Sequence, residues 1–285
     1  MLISILTPVY NRSHLLEKLF QSLKSQTSHD FEWVIVDDGS TDDLNNKKNN
    51  FNTELFPVKY LYKNNGGKHT ALNTGVDACN GKWVLIVDSD DLLTNDAIEQ
   101  VKINVESINE LGDGVIFLKA SPDLKVLGQP HKSPGVRMHA NTLVAMKGDK
   151  AYLFKKSVFS EIKFPVHEDE KFVTESYLWN KIFDKGKSYA IGVNKVIYIA
   201  EYLPGGLTDN YLNLLKQNPK GTMDFVFSNL NLNEVKCNII KQAAYHFIPI
   251  CNTHNLIHIL KKNKPVIGLK FMIILFLMKI KIKWK

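Results

Sequence analysis

The chain has 285 residues, of which 44% are hydrophobic and 23% are charged. These are ordinary values for a globular protein, so they exclude collagen-like, disordered and multi-span membrane proteins. The formal net charge is +7 at pH 7, which raises the question of a nucleic-acid partner.

The excess positive charge belongs to the C-terminal end of the chain. Residues 261–285 hold eight lysines and no acidic residue, and residues 1–260 hold 28 basic against 29 acidic side chains. Because the rest of the chain is nearly neutral, we predict no nucleic-acid partner. The three cysteines form no C-x-x-C pair, and the first residues lack a signal-peptide pattern. Both observations favour a reducing, cytoplasmic location.

The first 120 residues alternate short apolar runs with helical patterns. Ser13 is the expected cap of a first helix, and Asn95 that of a helix ending near residue 108. A further helix is predicted from about residue 70 to 78. The apolar runs predict strands at 2–6, 33–36, 58–62, 83–87 and 114–118.

Strands that alternate with helices predict a mostly parallel sheet, as in a Rossmann-like α/β fold. In such sheets, ligands bind beyond the carboxyl ends of the strands. Four polar segments fall at those ends, so we expect a ligand site there: residues 7–12, 37–40, 64–68 and 88–91.

The second half of the chain is less regular. The segment 171–184 has a helical pattern, residues 188–200 carry strand-like runs, and the chain becomes helical from about residue 204. We therefore predict a catalytic domain over residues 1–204 and a helical C-terminal region over residues 205–285.

The segment 88–91 has the sequence Asp-Ser-Asp-Asp and directly follows an apolar strand. Asp88 and Asp90 point to the same side of an extended chain, and a divalent cation bound to phosphate oxygens would neutralise them. The alternative is that Asp90 or Asp91 only caps the next helix. The loop around Gly66 and Gly67 is not a P-loop, and no G-x-G-x-x-G motif is present. Dinucleotide oxidoreductases and P-loop NTPases are therefore disfavoured.

The chain resembles the family 2 glycosyltransferases in four motifs that occur in the same order and spacing. These are T-P-V-Y-N-R at 7–12, V-D-D-G-S-T-D at 36–42, N-G-G-K-H at 65–69 followed by A-L-N-T-G at 71–75, and V-D-S-D-D at 87–91. The resemblance implies a GT-A fold and inverting transfer of a sugar from a nucleotide-diphosphate donor, usually UDP-linked, with Mg²⁺ or Mn²⁺ as cofactor. The acceptor would be a saccharide or a lipid-linked molecule in surface polysaccharide synthesis.

The resemblance also implies roles for single residues. Pro8 and Tyr10 would line the base pocket, and Asp38 would accept a hydrogen bond from the base. Arg12 and Lys68 would bind the nucleotide, Asp88 would contact the ribose or the metal, and Asp90 would hold the metal on the diphosphate.

The resemblance also implies a catalytic base. Members of the family usually carry a Glu-Asp pair in the second half of the chain, about four residues before a tryptophan, and the second acid of the pair is the base. In this chain Thr174 replaces the first acid of the pair. Glu175 stands four residues before Trp179, and we assign the base to it. A literal Glu-Asp pair at 168–169 makes Asp169 the alternative, although Trp179 lies ten residues beyond it. A non-catalytic relative that binds nucleotide or glycan is the rival function. A nucleotidyltransferase is disfavoured because residues 7–12 contain no glycine.

The C-terminal tail combines an apolar run at 266–278 with flanking lysines and Trp284. The run is too short to cross a bilayer as a helix, which takes about 20 residues. We predict that residues 264–285 bind an anionic membrane surface, on the inner face of the cell membrane. The alternative is a last helix that packs on the rest of the protein.

Overall fold

The computed structural model describes residues 2–108, 112–138, 146, 148–184, 189–201, 210–232 and 235–283. The side chains of residue 184 and residues 280–283 are outside this description, as is the whole of Trp284.

Nine strands form one sheet within the described residues, in the order β3-β2-β1-β4-β8-β6-β9-β5, with β7 paired to β9. The strands are β1 Ile3–Val9, β2 Phe31–Asp37, β3 Val58–Tyr62, β4 Trp83–Ile86, β5 Leu92–Leu93, β6 Gly114–Ala120, β7 Arg137–Met138, β8 Lys150–Lys155 and β9 Ala190–Ile199.

The prediction of a mostly parallel sheet is confirmed. The strands β1 to β4 pair in parallel, β6 pairs in parallel with β9, and the intervening β8 is antiparallel to both β4 and β6. The register places Val9 opposite Asp37 and Asp37 opposite Tyr62. The carboxyl ends of these three neighbouring strands therefore lie side by side.

The described helices follow the predicted pattern with three differences at their starts. The helix predicted to be capped by Asn95 begins at Ala97, so Asp96 directly precedes it, and the side-chain oxygen of Asn95 accepts the hydroxyl of Ser25 instead. Ser13 is the first residue of its helix and not the cap, since Arg12 occupies the cap position and the Ser13 hydroxyl donates to Asp43 instead. The helix predicted from residue 171 begins only at Ser176. The helices are Ser13–Lys24, Leu44–Lys47, Lys68–Ala78, Ala97–Ile108, Lys156–Glu161, Ser176–Asp184, Tyr211–Gln217, Pro219–Leu230, Cys237–Phe247, Thr253–Lys262 and Pro265–Lys283, with 3₁₀ turns at Lys48–Phe51 and Ile248–Ile250.

Aromatic side chains form part of the core on one face of the sheet. Phe20 stacks on Trp33 at 5.8 Å between ring centroids, and Phe51 meets both rings edge-on. On the Lys68–Ala78 helix, a Cβ at Gly75 would lie 2.2 Å from a methyl group of Leu6. A glycine at this position therefore lets that helix pack closely on β1.

The chain divides into two compact units, and the division does not follow the chain linearly. The first unit contains residues 1–138, 146–163 and 187–202, and the second contains residues 139–145, 164–186 and 203–285. The segment that carries Glu175 thus groups with the C-terminal helices. The boundary that we predict near residue 204 lies outside the described residues and stays a prediction.

The second unit has an apolar core of its own, to which its last helix contributes. Phe247 and Phe271 contact each other at 5.5 Å between ring centroids, and Phe271 and Leu275 are buried among residues of the preceding helices. The Pro265–Lys283 helix therefore packs on its own unit. None of the described helices has the length and apolar content needed to cross a membrane.

Candidate functional site

An acidic cluster lies directly after β4, at the carboxyl edge of the sheet. Carboxylate oxygens of Asp88, Asp90 and Asp91 all lie within 4.8 Å of one another. Three carboxylates this close repel one another unless positive charge is near. The predicted proximity of Asp88 and Asp90 is therefore present in the fold, and Asp91 joins them.

Two cations from other segments pair with this cluster. Arg12 Nη1 lies 2.6 Å from Asp90 Oδ2, and Lys68 Nζ lies 2.6 Å from Asp88 Oδ1. Burial opposes ionisation of Asp88, but the charges of Lys68, Lys119 and Arg12 outweigh it and lower the pKa of that carboxyl. Arg12, Lys68, Asp88 and Asp90, which come from three separate motifs, thus lie together at the carboxyl edge of the sheet.

Asp91 differs from the other two acids because both of its carboxylate oxygens accept hydrogen bonds from other groups of the protein. Oδ2 accepts the hydroxyl of Tyr198 at 2.7 Å, and Oδ1 accepts the backbone N–H of Glu201 at 3.0 Å. Burial, with a contribution from the charge of Asp88, raises the pKa of Asp91 to about 6. Asp91 therefore anchors the cluster to the end of β9.

Tyr198 connects the acids to the sheet and was not foreseen from the sequence. Its hydroxyl donates to Asp91 and accepts the backbone N–H of Asp88 at 3.0 Å. The ammonium of Lys119 lies 3.9 Å from the centroid of its ring. A buried tyrosine at the end of a strand has no sequence pattern that distinguishes it from a core residue.

The donor set fits a hard divalent cation. Asp88 and Asp90 offer carboxylate oxygens, which Mg²⁺ and Mn²⁺ prefer. Their side chains keep 30% and 16% of their surface exposed. The carboxylates of Asp88 and Asp90 are therefore partly open to solvent, whereas Asp91 is buried.

Asp38 lies at the end of β2 and is saturated with donors. Its Oδ1 accepts the ammonium of Lys63 at 2.6 Å and the N–H of Gly66 at 3.0 Å. Its Oδ2 accepts the N–H of Gly67 at 2.7 Å and the side-chain amide of Asn65 at 3.1 Å. The predicted hydrogen bond between Asp38 and the base of the nucleotide stays a prediction. It can form only if Asp38 loses one of these four hydrogen bonds.

The glycine loop is consequently not arranged as a phosphate cradle. Gly67 has φ of +92°, a conformation suited to glycine, and it turns the chain into the helix that begins at Lys68. The backbone N–H groups of Gly66 and Gly67 point to Asp38, so they are not directed at a ligand.

The first motif, residues 7–12, lies at the carboxyl end of the neighbouring strand β1. Pro8 is buried in β1, whereas Tyr10 is 48% exposed and presents a ring on which a base could stack. Asn11 has φ of +52°, and its Oδ1 accepts the backbone N–H of Thr41 at 2.7 Å. This contact connects the first motif to the second. No pattern in the sequence singles out Asn11 for this role.

The two candidates for the base lie in the second unit. Glu175 directly precedes the Ser176–Asp184 helix, and its carbonyl accepts the N–H of Leu178 at 2.9 Å. Asp169 is exposed in the turn before Glu170. Glu170 is buried and accepts the N–H groups of Lys220 and Gly221, both at 2.8 Å. Glu170 is thereby structural, and the choice between Glu175 and Asp169 stays a prediction.

A hydrogen-bonded chain supports the residue beside Glu175. The hydroxyl of Tyr211 lies 3.3 Å from Thr174 Oγ1 and 2.9 Å from His246 Nε2. The other ring nitrogen of His246 lies 2.7 Å from the carbonyl of Gln242, which can only accept. Nδ1 therefore carries the proton, Tyr211 donates to Nε2, and burial lowers the pKa of His246.

Residues 4–132 match the family model described as glycosyl transferase family 2. A curated relative from Campylobacter jejuni, the GalNAc(5)-diNAcBac-PP-undecaprenol beta-1,3-glucosyltransferase, is 27% identical over 66% of this chain and 62% of its own length. The chain spans about three fifths of the length of the first curated relatives that it matches.

The fold has close counterparts among solved structures. TarS residues 1–349 from S. aureus, in complex with UDP, aligns with a TM-score of 0.60 at 18% identity, over 87% of this chain and 71% of that one. A mannosyltransferase from Pyrobaculum calidifontis in complex with GDP-Man and Mn²⁺ aligns with a TM-score of 0.59 at 16% identity, over 92% of this chain and 76% of that one. The predicted GT-A fold, with helices in the C-terminal part, is thus confirmed.

Proposed function

We propose that this chain, whose residues 4–132 belong to glycosyl transferase family 2, transfers a sugar from a nucleotide-diphosphate donor to an acceptor hydroxyl. The observation that carries the proposal is the meeting of Asp88, Asp90, Arg12 and Lys68 at the carboxyl edge of the sheet. Two carboxylates beside two cations suit a diphosphate that arrives with a divalent metal ion.

Asp88 and Asp90 would hold Mg²⁺ or Mn²⁺. Bound there, the ion neutralises charge that develops on the leaving diphosphate. Lys68 and Arg12 add positive charge at the same edge, and each lies within ion-pair distance of one of the two acids. Tyr10 supplies an exposed ring for the base of the nucleotide.

Inversion at the sugar carbon requires a base that removes the proton of the acceptor hydroxyl on the side opposite the leaving group. We assign this role to Glu175, with Asp169 as the alternative. As the hydroxyl oxygen bonds to the sugar carbon, its proton passes to the carboxylate and the bond to the diphosphate oxygen breaks. No residue is oxidised or reduced.

We infer a UDP-linked donor and a saccharide or lipid-linked acceptor. TarS is described in complex with UDP, and the Campylobacter relative has PP-undecaprenol in its name. The first supports the UDP-linked donor, and the second supports a lipid-linked acceptor in the synthesis of a surface polysaccharide or of a lipid-linked oligosaccharide.

A panel of nucleotide sugars tests the donor class. We expect at least one UDP-sugar to raise the melting temperature of the protein in Mn²⁺, because a ligand that binds only the folded state stabilises it. The same sugar should have no effect in EDTA. If GDP-sugars stabilise the protein and UDP-sugars do not, the inferred donor is wrong.

We further propose that the last helix binds an anionic membrane surface. One stripe of the Pro265–Lys283 helix is exposed, opposite the buried Phe271 and Leu275. Charge complementarity supports a lipid partner, because the exposed Lys264, Lys270 and Lys279 accompany the stripe and no acid occurs in 261–285. The stripe consists of Val266, Leu269, Ile273, Phe276 and Leu277, each more than 50% exposed.

Substitution within the stripe tests this proposal better than truncation. Removing residues 264–285 would expose the core around Phe271, whereas Leu269→Gln with Ile273→Gln changes exposed side chains only. We expect the double variant to bind anionic vesicles at least about tenfold more weakly, since burial of one such side chain contributes about 1.5–3 kcal/mol at full depth. Co-sedimentation with vesicles of phosphatidylserine and phosphatidylcholine measures the effect.

The matched control is Leu212→Gln, which changes a leucine of the same unit that is 49% exposed and lies outside the stripe. Binding should also weaken with salt, because the Debye length falls from about 10 Å at 0.1 M to about 3 Å at 1 M. The proposal is wrong if the wild-type protein ignores anionic vesicles at low salt, or if the double variant binds as the wild type does.

A further inference from the structure

Lys63 directly follows β3, and its side chain bonds to three different segments of the chain. Its ammonium donates to Asp38 Oδ1 at 2.6 Å, to the carbonyl of Asn64 at 2.6 Å and to Thr70 Oγ1 at 2.8 Å. An ammonium has three N–H donors, so each of them has a partner. The side chain of Lys63 is 21% exposed and that of Asp38 is 3% exposed.

The three acceptors belong to separate parts of the fold. Asp38 follows β2, and Thr70 lies in the first turn of the Lys68–Ala78 helix. Asp38 in turn holds the backbone N–H groups of Gly66 and Gly67. Lys63 and Asp38 together therefore fix both sides of the loop 64–67.

That loop leads directly to Lys68, whose ammonium lies 2.6 Å from Asp88 Oδ1. Gly67 sets the direction in which the helix starts, with φ of +92°. A shift of the loop would move the Lys68 backbone and change where its side chain reaches. The Lys63 ammonium is also a counter-charge of a nearly buried carboxylate, and removing one partner of such a pair is costly.

We propose that Lys63 is a positioning residue for the nucleotide site, an inference that rests on the proposed function. Lys63 acts through Asp38 and the loop 64–67 to place Lys68 beside the acidic cluster. It makes no contact with the nucleotide itself. Neither the motif resemblance nor the family match assigns it a role.

Lys59 offers a matched control on β3, the strand that Lys63 directly follows. It too is a part-buried lysine that donates to the chain around the Lys68–Ala78 helix, but its partner is the carbonyl of Ala78 at 2.7 Å, at the opposite end of that helix. Lys59→Met and Lys63→Met thus each remove one anchor of the same helix. Only the second removes the anchor next to Lys68.

The experiment measures the affinity of the full chain for UDP in Mn²⁺ by calorimetry, together with the melting temperature. We expect Lys63→Met to weaken UDP binding by about tenfold or more, because small misplacements of a binding group have effects of up to about a hundredfold. Lys59→Met should leave UDP affinity unchanged. Equal UDP affinity of Lys63→Met and the wild type would overturn the proposal.

A double-mutant cycle with Lys68→Met separates positioning from general stability. If Lys63 acts through Lys68, adding Lys63→Met to Lys68→Met should change UDP affinity by less than about twofold, because coupled residues are not additive. Full additivity of the two losses would contradict the proposal. Failure of the wild-type protein to bind UDP would overturn the proposed function, and this inference with it.

Lys63→Arg covers the case in which Lys63→Met does not fold. It keeps the charge that Asp38 requires, but a planar guanidinium cannot donate to the same three acceptors. We expect weaker UDP binding than in the wild type at an unchanged melting temperature. Wild-type affinity in this variant would overturn the proposal.

Discussion

Asp90→Asn is expected to abolish metal-dependent nucleotide binding while the protein remains folded. The amide keeps the size of the side chain but loses the charge that a divalent cation requires. Asp90 lies in the turn after β4, and its carboxylate pairs with Arg12, so no core packing changes. Calorimetry with UDP in Mn²⁺ should show a loss of affinity of at least about 100-fold, since even outer-shell partners of a metal contribute 10- to 100-fold.

Asp77→Asn is the matched control for Asp90→Asn. Asp77 is also paired with a cation, Lys163 at 2.6 Å, but its side chain is 59% exposed and belongs to none of the four motifs. This variant should bind UDP as the wild type does. Unchanged UDP affinity and turnover in Asp90→Asn would contradict the metal assignment.

Glu175→Gln is expected to keep nucleotide affinity and to slow transfer by about 10²- to 10⁴-fold, the usual contribution of a positioned base. The glutamine retains the position before the Ser176–Asp184 helix but cannot accept the acceptor proton. Single-turnover transfer measured at saturating donor isolates this step, and UDP affinity in Mn²⁺ is the accompanying readout.

Two further variants decide the identity of the base. Asp169→Asn tests the alternative acid, and Glu168→Gln is a control at an exposed neighbour of it. If Asp169→Asn abolishes transfer and Glu175→Gln does not, the alignment of this segment is wrong by six residues. Retained transfer in both would exclude both acids.

The strands could be predicted because buried parallel strands are short, continuous apolar runs. The run at 33–36 lies within the buried β2, and the run at 2–6 marks the buried β1, which extends to Val9. The polar ends of these strands then located the site, since the carboxyl ends of parallel strands share one edge. Local pattern and overall fold agree in this part of the chain.

The contacts that complete the site could not be predicted, because each joins residues far apart in the sequence. Tyr198 reaches Asp91 across 107 positions, and Lys63 reaches Asp38 across 25. From the sequence alone, a tyrosine in an apolar run is interpreted as a core residue, and a lysine after a strand is interpreted as a solvated side chain. Only the pairing of β5, which directly follows Asp91, with β9, and of β2 with β3, brings the partners together.

Local signals misled where another partner competed for the same group. Ser13 has the residue type of a helix cap, but its hydroxyl is directed to Asp43. Glu170 directly follows the Glu168-Asp169 pair, and it is buried and accepts the N–H groups in the first turn of the Pro219–Leu230 helix. A carboxylate at a helix N-terminus is stabilising, and the sequence alone does not distinguish that use from catalysis.

Release of nucleoside diphosphate from sugar donors tests the central claim most directly. The purified chain is incubated with UDP-sugars in Mn²⁺, alone and with a saccharide acceptor, and free UDP is measured over time. We predict that at least one UDP-sugar is turned over in Mn²⁺, and that EDTA and Asp90→Asn both stop the release. Absence of UDP release from every donor, or release that is equal in EDTA and in Asp90→Asn, would contradict the account.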